Sequence, residues 1–430
     1  MKVLKAALVG AGNRGQIYCD YSMDSEEKEL EIVAVVDPFK VALEQASEKY
    51  GVKKENGFSD LDEFIAKKIE CDFVVDATMD EQHYETAMKL INAGYNLILE
   101  KPITGNKDEL LAIERAAKEK GVKILVCHVL RYAPFYRTIK NVINEGKIGK
   151  IISMEMNEHV GKYHFLDSYV RGKWNSEARC GSGFLLAKCC HDTDLICWLN
   201  GESAPEKVSS FGSRSLFVTK NAPEGATEYC YNCPHTKTCM YSAQKTHLEQ
   251  DLMAFQTWRD MGKPVETVTK EEKEEWLKHN TYGKCAYNSG GDIVDRQSVS
   301  VEFENGSIAT LTMVGGCSKA GRWIHLVGTE GEIEGFVEEK KFRLIRFHWD
   351  DGKYEESEET IDISKLIVDK GKYGGHGGGD YALMYDAVRF FAGEGESASI
   401  TKLDDSINGH LIVYAAEESR KTGKIVEIEK

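Results

Sequence analysis

Proline is scarce in this chain, 7 residues in 430, and no apolar run approaches the roughly 20 residues needed to span a bilayer. The richest apolar stretches, such as 95–99, are strand-sized, so no membrane-crossing helix is expected. Positive charge is also in short supply: 55 Lys and Arg stand against 70 Asp and Glu, a net charge of −15. That balance repels nucleic-acid phosphate and anionic lipid, so neither is an expected partner. The first apolar run meets Gly10 and Gly12 too early for a secretory core and reads as a strand, which predicts a cytoplasmic protein. What the chain does have is 42% hydrophobic and 10% aromatic residues over a length that exceeds one ordinary core. Its 12 cysteines are scattered, and in a cytoplasmic setting most are expected to be reduced thiols.

From residue 5 to about 127, strand-length apolar runs at 6–9, 32–36, 73–75, 96–99 and 123–126 alternate with helical periodicity at 81–93 and 107–120. This rhythm predicts a parallel sheet wound by crossover helices. Ser59 is the expected cap of the helix that opens at Asp60, and Gly94 and Gly121 stand where helices end. After about residue 149 the runs lengthen and alternate, at 151–158, 298–303 and 308–313, with Asn305-Gly306 as a hairpin turn. That half is read as mostly antiparallel sheet, interrupted by helices at 184–199, 241–261, 380–391 and 403–422.

Gly10-Ala-Gly12-Asn13-Arg14-Gly15 follows the first strand and opens a helix. In that context the glycines let the backbone approach a pyrophosphate, whose charge is favoured by free amides and the helix dipole. Asp37 ends the second strand, placed to accept hydrogen bonds from the hydroxyls of an adenosine ribose and to repel a 2′-phosphate. NAD is therefore the expected cofactor and NADP the less favoured one. A glycine turn that holds no cofactor is the alternative.

Further on come Glu100-Lys101-Pro102, Arg131-Tyr132-x-Pro134 leading into a helix and a Gly-x-x-Gly turn, His191-x-x-Asp194 on a helix with a glycine-rich start, and Gly328-Thr329-Glu330-Gly331. With the glycine fingerprint, these motifs make nearly the whole chain resemble the Gfo/Idh/MocA family of NAD(P)-dependent sugar and cyclitol oxidoreductases. The resemblance implies an α/β protein with a Rossmann domain over 1–128. It implies an α/β domain over 129–430 with a large, mostly antiparallel open sheet that binds substrate and pairs subunits into a homodimer or homotetramer. Gly10, Gly12, Asn13, Arg14, Gly15, Asp37, Glu100 and Lys101 are then cofactor contacts, Lys101 hydrogen-bonds the reacting hydroxyl, and His191 is the acid/base. The chemistry agrees, because oxidising a secondary alcohol requires removal of the hydroxyl proton and histidine titrates near neutral pH. A lysine beside a positive nicotinamide is biased toward its neutral form and could share that task. Outside their motifs, the same two residues would read as a surface lysine and a helix-face histidine.

One departure stands out. Many family members carry D-x-G-x-H-x-x-D, whereas this chain reads Ala187-Lys188-Cys189-Cys190-His191-Asp192-Thr193-Asp194. Lys188, near His191 on one helix face, has three open roles: binding an anionic or oxygen-rich substrate group, acting as a second acid/base that tunes His191, or pairing with Asp192 or Asp194. Candidate substrate contacts are Arg131, Tyr163, His164, Arg171, Trp174, Asp194 and His376; the last lies in the glycine-rich loop 374–380, which ends at the capping Asp380. Packing of the sheet is the alternative for the aromatic segment 158–174, and Asp194 could equally orient a neighbour.

Cys230-x-x-Cys233-x5-Cys239, with His235 between and His247 beyond, resembles half of a metal knuckle in an insertion at 221–240. A structural zinc would need a fourth ligand from His235, His247 or a distant cysteine; reduced thiols or a labile disulfide are the alternatives. No metal is expected in the chemistry. The leading expectation is hydride transfer between NAD and a secondary hydroxyl or ketone of a sugar, glycoside or cyclitol. A second is an NAD-retaining glycoside hydrolase acting through transient oxidation of the sugar. A cofactor-gated sensor is a third, disfavoured by the presence of both Lys101 and His191.

Overall fold

The computed structural model describes residues 2–24, 28–201, 203–366 and 375–429. Six strands, β1 (Leu4–Val9), β2 (Leu30–Val36), β3 (Gly57–Phe58), β4 (Phe73–Asp76), β5 (Leu97–Leu99) and β6 (Ile124–Val126), form one parallel sheet in the order β3-β2-β1-β4-β5-β6. β4 and β5 are buried along their whole length, as strands covered by helices on both faces must be. The strand order reverses between β1 and β4, which opens a crevice at the carboxyl ends of the strands. Gly10, Asp37, Glu100 and His128 all lie just beyond those ends. The helix after β3 begins one residue later than expected. Asp60, not Ser59, is its cap, because the Asp60 carboxylate accepts the amides of Asp62 and Glu63.

A nine-stranded sheet follows: β7 (Ile151–Gly161), β8 (Pro205–Ser213), β9 (Arg296–Phe303), β10 (Ile308–Cys317), β11 (Gly321–Gly328), β12 (Gly331–Phe336), β13 (Lys341–Asp350), β14 (Lys353–Asp362) and β15 (Val426–Glu427). The order is β14-β13-β12-β11-β7-β10-β9-β8-β15, and only the β7–β10 pair is parallel. β9 alternates strictly between exposed and buried residues, so one sheet face is covered and the other open. The covering helix, Phe184–Asn200, is apolar nearly all round, and every residue except Lys188 and Asn200 is buried. Its neighbour, Leu403–Thr422, approaches closely at Gly409, where a Cβ would stand 2.9 Å from the Asp194 amide nitrogen.

The end of the chain returns to the first sheet. Leu383, Met384 and Ala387 of the Gly379–Ala392 helix share a core with Leu8 and Phe73, and the Val126 amide bonds the Thr401 carbonyl at 2.8 Å. Between β8 and β9 the chain is mostly irregular, with a small core of Trp258, Val268, Leu277 and Tyr282. The helix expected at 241–261 is broken there. Asp251 and Met253 take positive φ of 47° and 58°, and the Asp251 carboxylate is drawn to Trp258 Nε1 (2.9 Å) and Lys273 Nζ (2.8 Å). No helix among the described residues is long and apolar enough to cross a membrane.

Candidate active site

The glycine turn after β1 is shaped by close approach. Gly10 has φ +84°, and a Cβ there would lie 2.5 Å from the Ala77 carbonyl oxygen; one on Gly15 would lie 2.3 Å from the Gly10 carbonyl oxygen. No backbone crowds Gly12, so the cradle fits a dinucleotide diphosphate. Asn13 is exposed beside it. Asp37 is buried, and its oxygens accept the amides of Ala11 and Phe39, each at 2.8 Å. Each oxygen keeps a further lone pair for a ribose hydroxyl.

Arg14 points away from the turn, into a chain of ion pairs. Its Nε donates to Glu100 Oε1 at 2.9 Å and its Nη2 to Asp380 Oδ1 at 2.7 Å. Glu100 Oε1 also accepts from Tyr18 Oη at 2.6 Å, and its Oε2 from the Lys101 amide at 2.7 Å. Burial pushes the Glu100 carboxyl up, but Arg14 and Lys101 outweigh it and hold it below its ordinary value. Arg14 thus braces the Glu-Lys-Pro turn. Asp380 continues the chain to His376 Nδ1 at 3.2 Å, and the His376 ring lies 5.7 Å from that of His191. Gly374, the start of that loop, lies outside the described residues.

Lys101 Nζ donates to the Ala187 carbonyl at 3.1 Å, one helical turn before His191. Burial opposes its charge, yet Cys190, Glu100 and Asp80 together hold the Lys101 ammonium above its ordinary pKa. Without a nicotinamide beside it, Lys101 is therefore held toward its charged form. His191 is the opposite case. It is buried, and desolvation, reinforced by Lys101, His376, His128 and Arg322, holds its imidazole well below the usual histidine range. At neutral pH it is an uncharged base beside a charged donor.

Of the carboxylates near it, Lys188 approaches Glu158. It stands 3.7 Å from Glu158, which Arg322 bridges to Asp192 through contacts of 2.7 Å to each carboxylate. After burial, Lys188 is the main cation lowering His164, whose pKa falls to about 3. Tyr163 and His164 lie half-buried on the short Lys162–Phe165 helix, and Trp174 donates its Nε1 to Asp80 at 3.2 Å.

Three expected substrate contacts are turned inward. Arg131 and Asp194 form a buried two-point pair, 2.7 Å from Nε and 2.6 Å from Nη2, which leaves neither facing substrate. Arg171 is fully buried and donates to the carbonyls of Lys284 (2.7 Å) and Tyr241 (2.5 Å), tying down the irregular segment. Cys230, Cys233 and Cys239 are free thiols lining a small cavity with His235 and Cys285, while His247 lies elsewhere against Asp167 and Trp258. Among the described residues no group of three or more His, Cys, Asp or Glu is arranged to hold a metal ion.

Two residues escaped the sequence reading. Arg322 is the second residue of β11, where its only signal was a charge within an alternating run. His128 has no local signal: it is fully buried after β6, 5.7 Å ring to ring from His191 and 5.6 Å from His410.

Comparison with known proteins agrees with this arrangement. Residues 4–128 match the Gfo/Idh/MocA oxidoreductase family, NAD-binding Rossmann fold, and residues 140–428 match the same family's C-terminal alpha/beta domain. The chain belongs to this family of NAD(P)-dependent oxidoreductases. It is 27% identical over 329 residues to the Bacillus subtilis oxidoreductase YteT, covering 73% of this chain and 71% of that one. It is also 27% identical over 203 residues to the Bacillus subtilis scyllo-inositol 2-dehydrogenase (NADP(+)) IolW, covering 46% of this chain and 52% of that one. Among solved structures, levoglucosan dehydrogenase in complex with NADH and levoglucosan superposes with a TM-score of 0.70 at 19% identity, covering 99% of this chain and 100% of that one. That likeness shows the shared fold.

Proposed function

We propose that this enzyme transfers a hydride between NAD and a secondary hydroxyl, or the matching ketone, of a sugar, glycoside or cyclitol. The observation that carries the reading is the pairing of a charged Lys101 with a neutral His191 across one helical turn. In the oxidising direction Lys101 donates a hydrogen bond to the substrate oxygen and stabilises its developing negative charge, while His191 accepts the proton. In the reducing direction His191 takes up a proton from solvent and delivers it to the substrate oxygen as the hydride arrives. When bound, the nicotinamide supplies or accepts the hydride. Tyr163, His164 and Trp174 offer ring faces and hydrogen-bonding atoms to the sugar. The relatives named above include a cyclitol dehydrogenase and an oxidoreductase, and no observation favours redox-neutral hydrolysis.

NAD is preferred over NADP on this reading because the Asp37 carboxylate stands at the end of β2. We further propose a homodimer or homotetramer formed over the open face of the nine-stranded sheet. The twelve free cysteines fit a reducing compartment such as the cytoplasm. The test is to identify the nucleotide released on denaturation, measure both cofactors' dissociation constants, and screen sugars, glycosides and cyclitols for reduced nicotinamide and ketone. Tighter binding of NADP, or aglycone release without net oxidation, would overturn the respective parts.

A further inference from the structure

The irregular segment between β8 and β9 reaches the nucleotide turn. An ideal Cβ on Gly12 would meet only one atom within 4 Å, Arg259 Nη2 at 3.4 Å. The other two glycines of the fingerprint are crowded by backbone and β1 side chains, so Gly12 marks the open side of the cradle, and an arginine from a distant part of the chain fills its edge. Arg259 is exposed and forms no hydrogen bond or ion pair among the described residues. Its backbone is nevertheless firmly placed. Trp258 beside it is fully buried and bonded to Asp251, while Thr257 donates to Asp167 Oδ2 at 3.1 Å and Gln256 meets Ser168 at 3.4 Å. Asp167 and Ser168 continue directly from the Lys162–Phe165 turn that carries Tyr163 and His164. One short stretch, 256–259, is thus docked against the sugar side of the cleft and projects a guanidinium over the cofactor side.

We infer that Arg259 binds the diphosphate of the dinucleotide, closing the cradle over Gly12 as an arm of the inserted segment. The inference rests on the nucleotide-binding reading of the glycine turn. A guanidinium presents a planar fork that matches two phosphate oxygens, and its charge offsets one that the surrounding acidic protein otherwise repels. Because the arm is held by contacts to Asp167 and Ser168, it also ties the hold on cofactor to the order of the sugar-side turn.

The test compares wild type with Arg259→Ala and Arg259→Lys by calorimetric binding of NAD⁺, ADP-ribose and adenosine, together with the rate of NAD⁺ release. Arg259→Ala is expected to weaken NAD⁺ and ADP-ribose about tenfold or more, the range of a lost charged hydrogen bond, and to speed release by a similar factor. Adenosine, which lacks the diphosphate, should bind as before, and Arg259→Lys should recover only part of the loss because a point charge lacks the fork. Unliganded melting temperatures should agree, since the side chain is exposed. ADP-ribose affinity within about twofold of wild type in both variants would overturn the inference. A loss confined to NADP⁺ would also overturn it, placing Arg259 at a 2′-phosphate instead. A wild-type protein that binds none of NAD⁺, NADP⁺ or ADP-ribose would instead reject the nucleotide site itself.

Discussion

At the residue scale, protonation state separates two side chains that their motifs place together. Lys101 and His191 were legible from Glu-Lys-Pro and His-x-x-Asp, but their charges were not. Those depend on Asp80, Cys190, His128 and Arg322, which the fold brings in from four separate stretches. Removing the Lys101 cation should raise the His191 pKa, so Lys101→Met is expected to move the acid limb of the oxidative pH–rate profile to higher pH, besides lowering kcat. An unmoved limb would show that another group lowers His191. Lys188 bears on His164. In Lys188→Ala the His164 imidazole should titrate above its wild-type value of about 3, as followed by NMR of the ring carbons. A His164 resonance that titrates unchanged would contradict the assignment.

At the element scale, the Phe184–Asn200 helix shows how burial decides between two readings of one motif residue. Asp194 lies one turn beyond His191, where the sequence allows either a substrate contact or a residue that orients a neighbour, and burial of the whole helix turns it toward Arg131. A charge left alone in that interior is costly. Asp194→Asn, which strands the Arg131 guanidinium, should destabilise the protein by about 3–5 kcal/mol in denaturant unfolding. A loss below about 1 kcal/mol would mean that the pair is effectively solvated. The broken helix at 241–261 was illegible for a related reason: its periodicity is helical, but the side chain of Asp251 finds stronger partners in Trp258 and Lys273 than the next turn would offer.

At the scale of the whole molecule, the parallel sheet was readable because each strand and helix carries its own local period, and the antiparallel sheet because its strands alternate. The return of 379–422 to the first sheet was not, since it is made by contacts such as Val126 to Thr401 between segments far apart in the chain. The same long-range burial governs acid stability. His164, His247 and His410 are each pushed down to about 3 by burial, so below pH ~6.5 the unfolded chain takes up protons that the folded one refuses. Each histidine then removes up to about 1.4 kcal/mol of stability per pH unit. Asp167, pushed up to about 7, works in the opposite sense between pH 7 and about 4 and offsets one of them. Melting temperature is therefore expected to fall steadily from pH 7 to 5, whereas a flat profile would show that these imidazoles are charged in the folded state.

On the proposed function, a neutral His191 handles the substrate proton while hydride moves to or from nicotinamide. The most direct measurement is single-turnover hydride transfer from the best substrate to bound NAD⁺, in wild type and His191→Ala, with equal cofactor occupancy verified beforehand. The transfer rate should fall by about 10² to 10⁴ with unchanged cofactor affinity. A variant that retains more than about a tenth of the wild-type rate, with chemistry limiting, would contradict it.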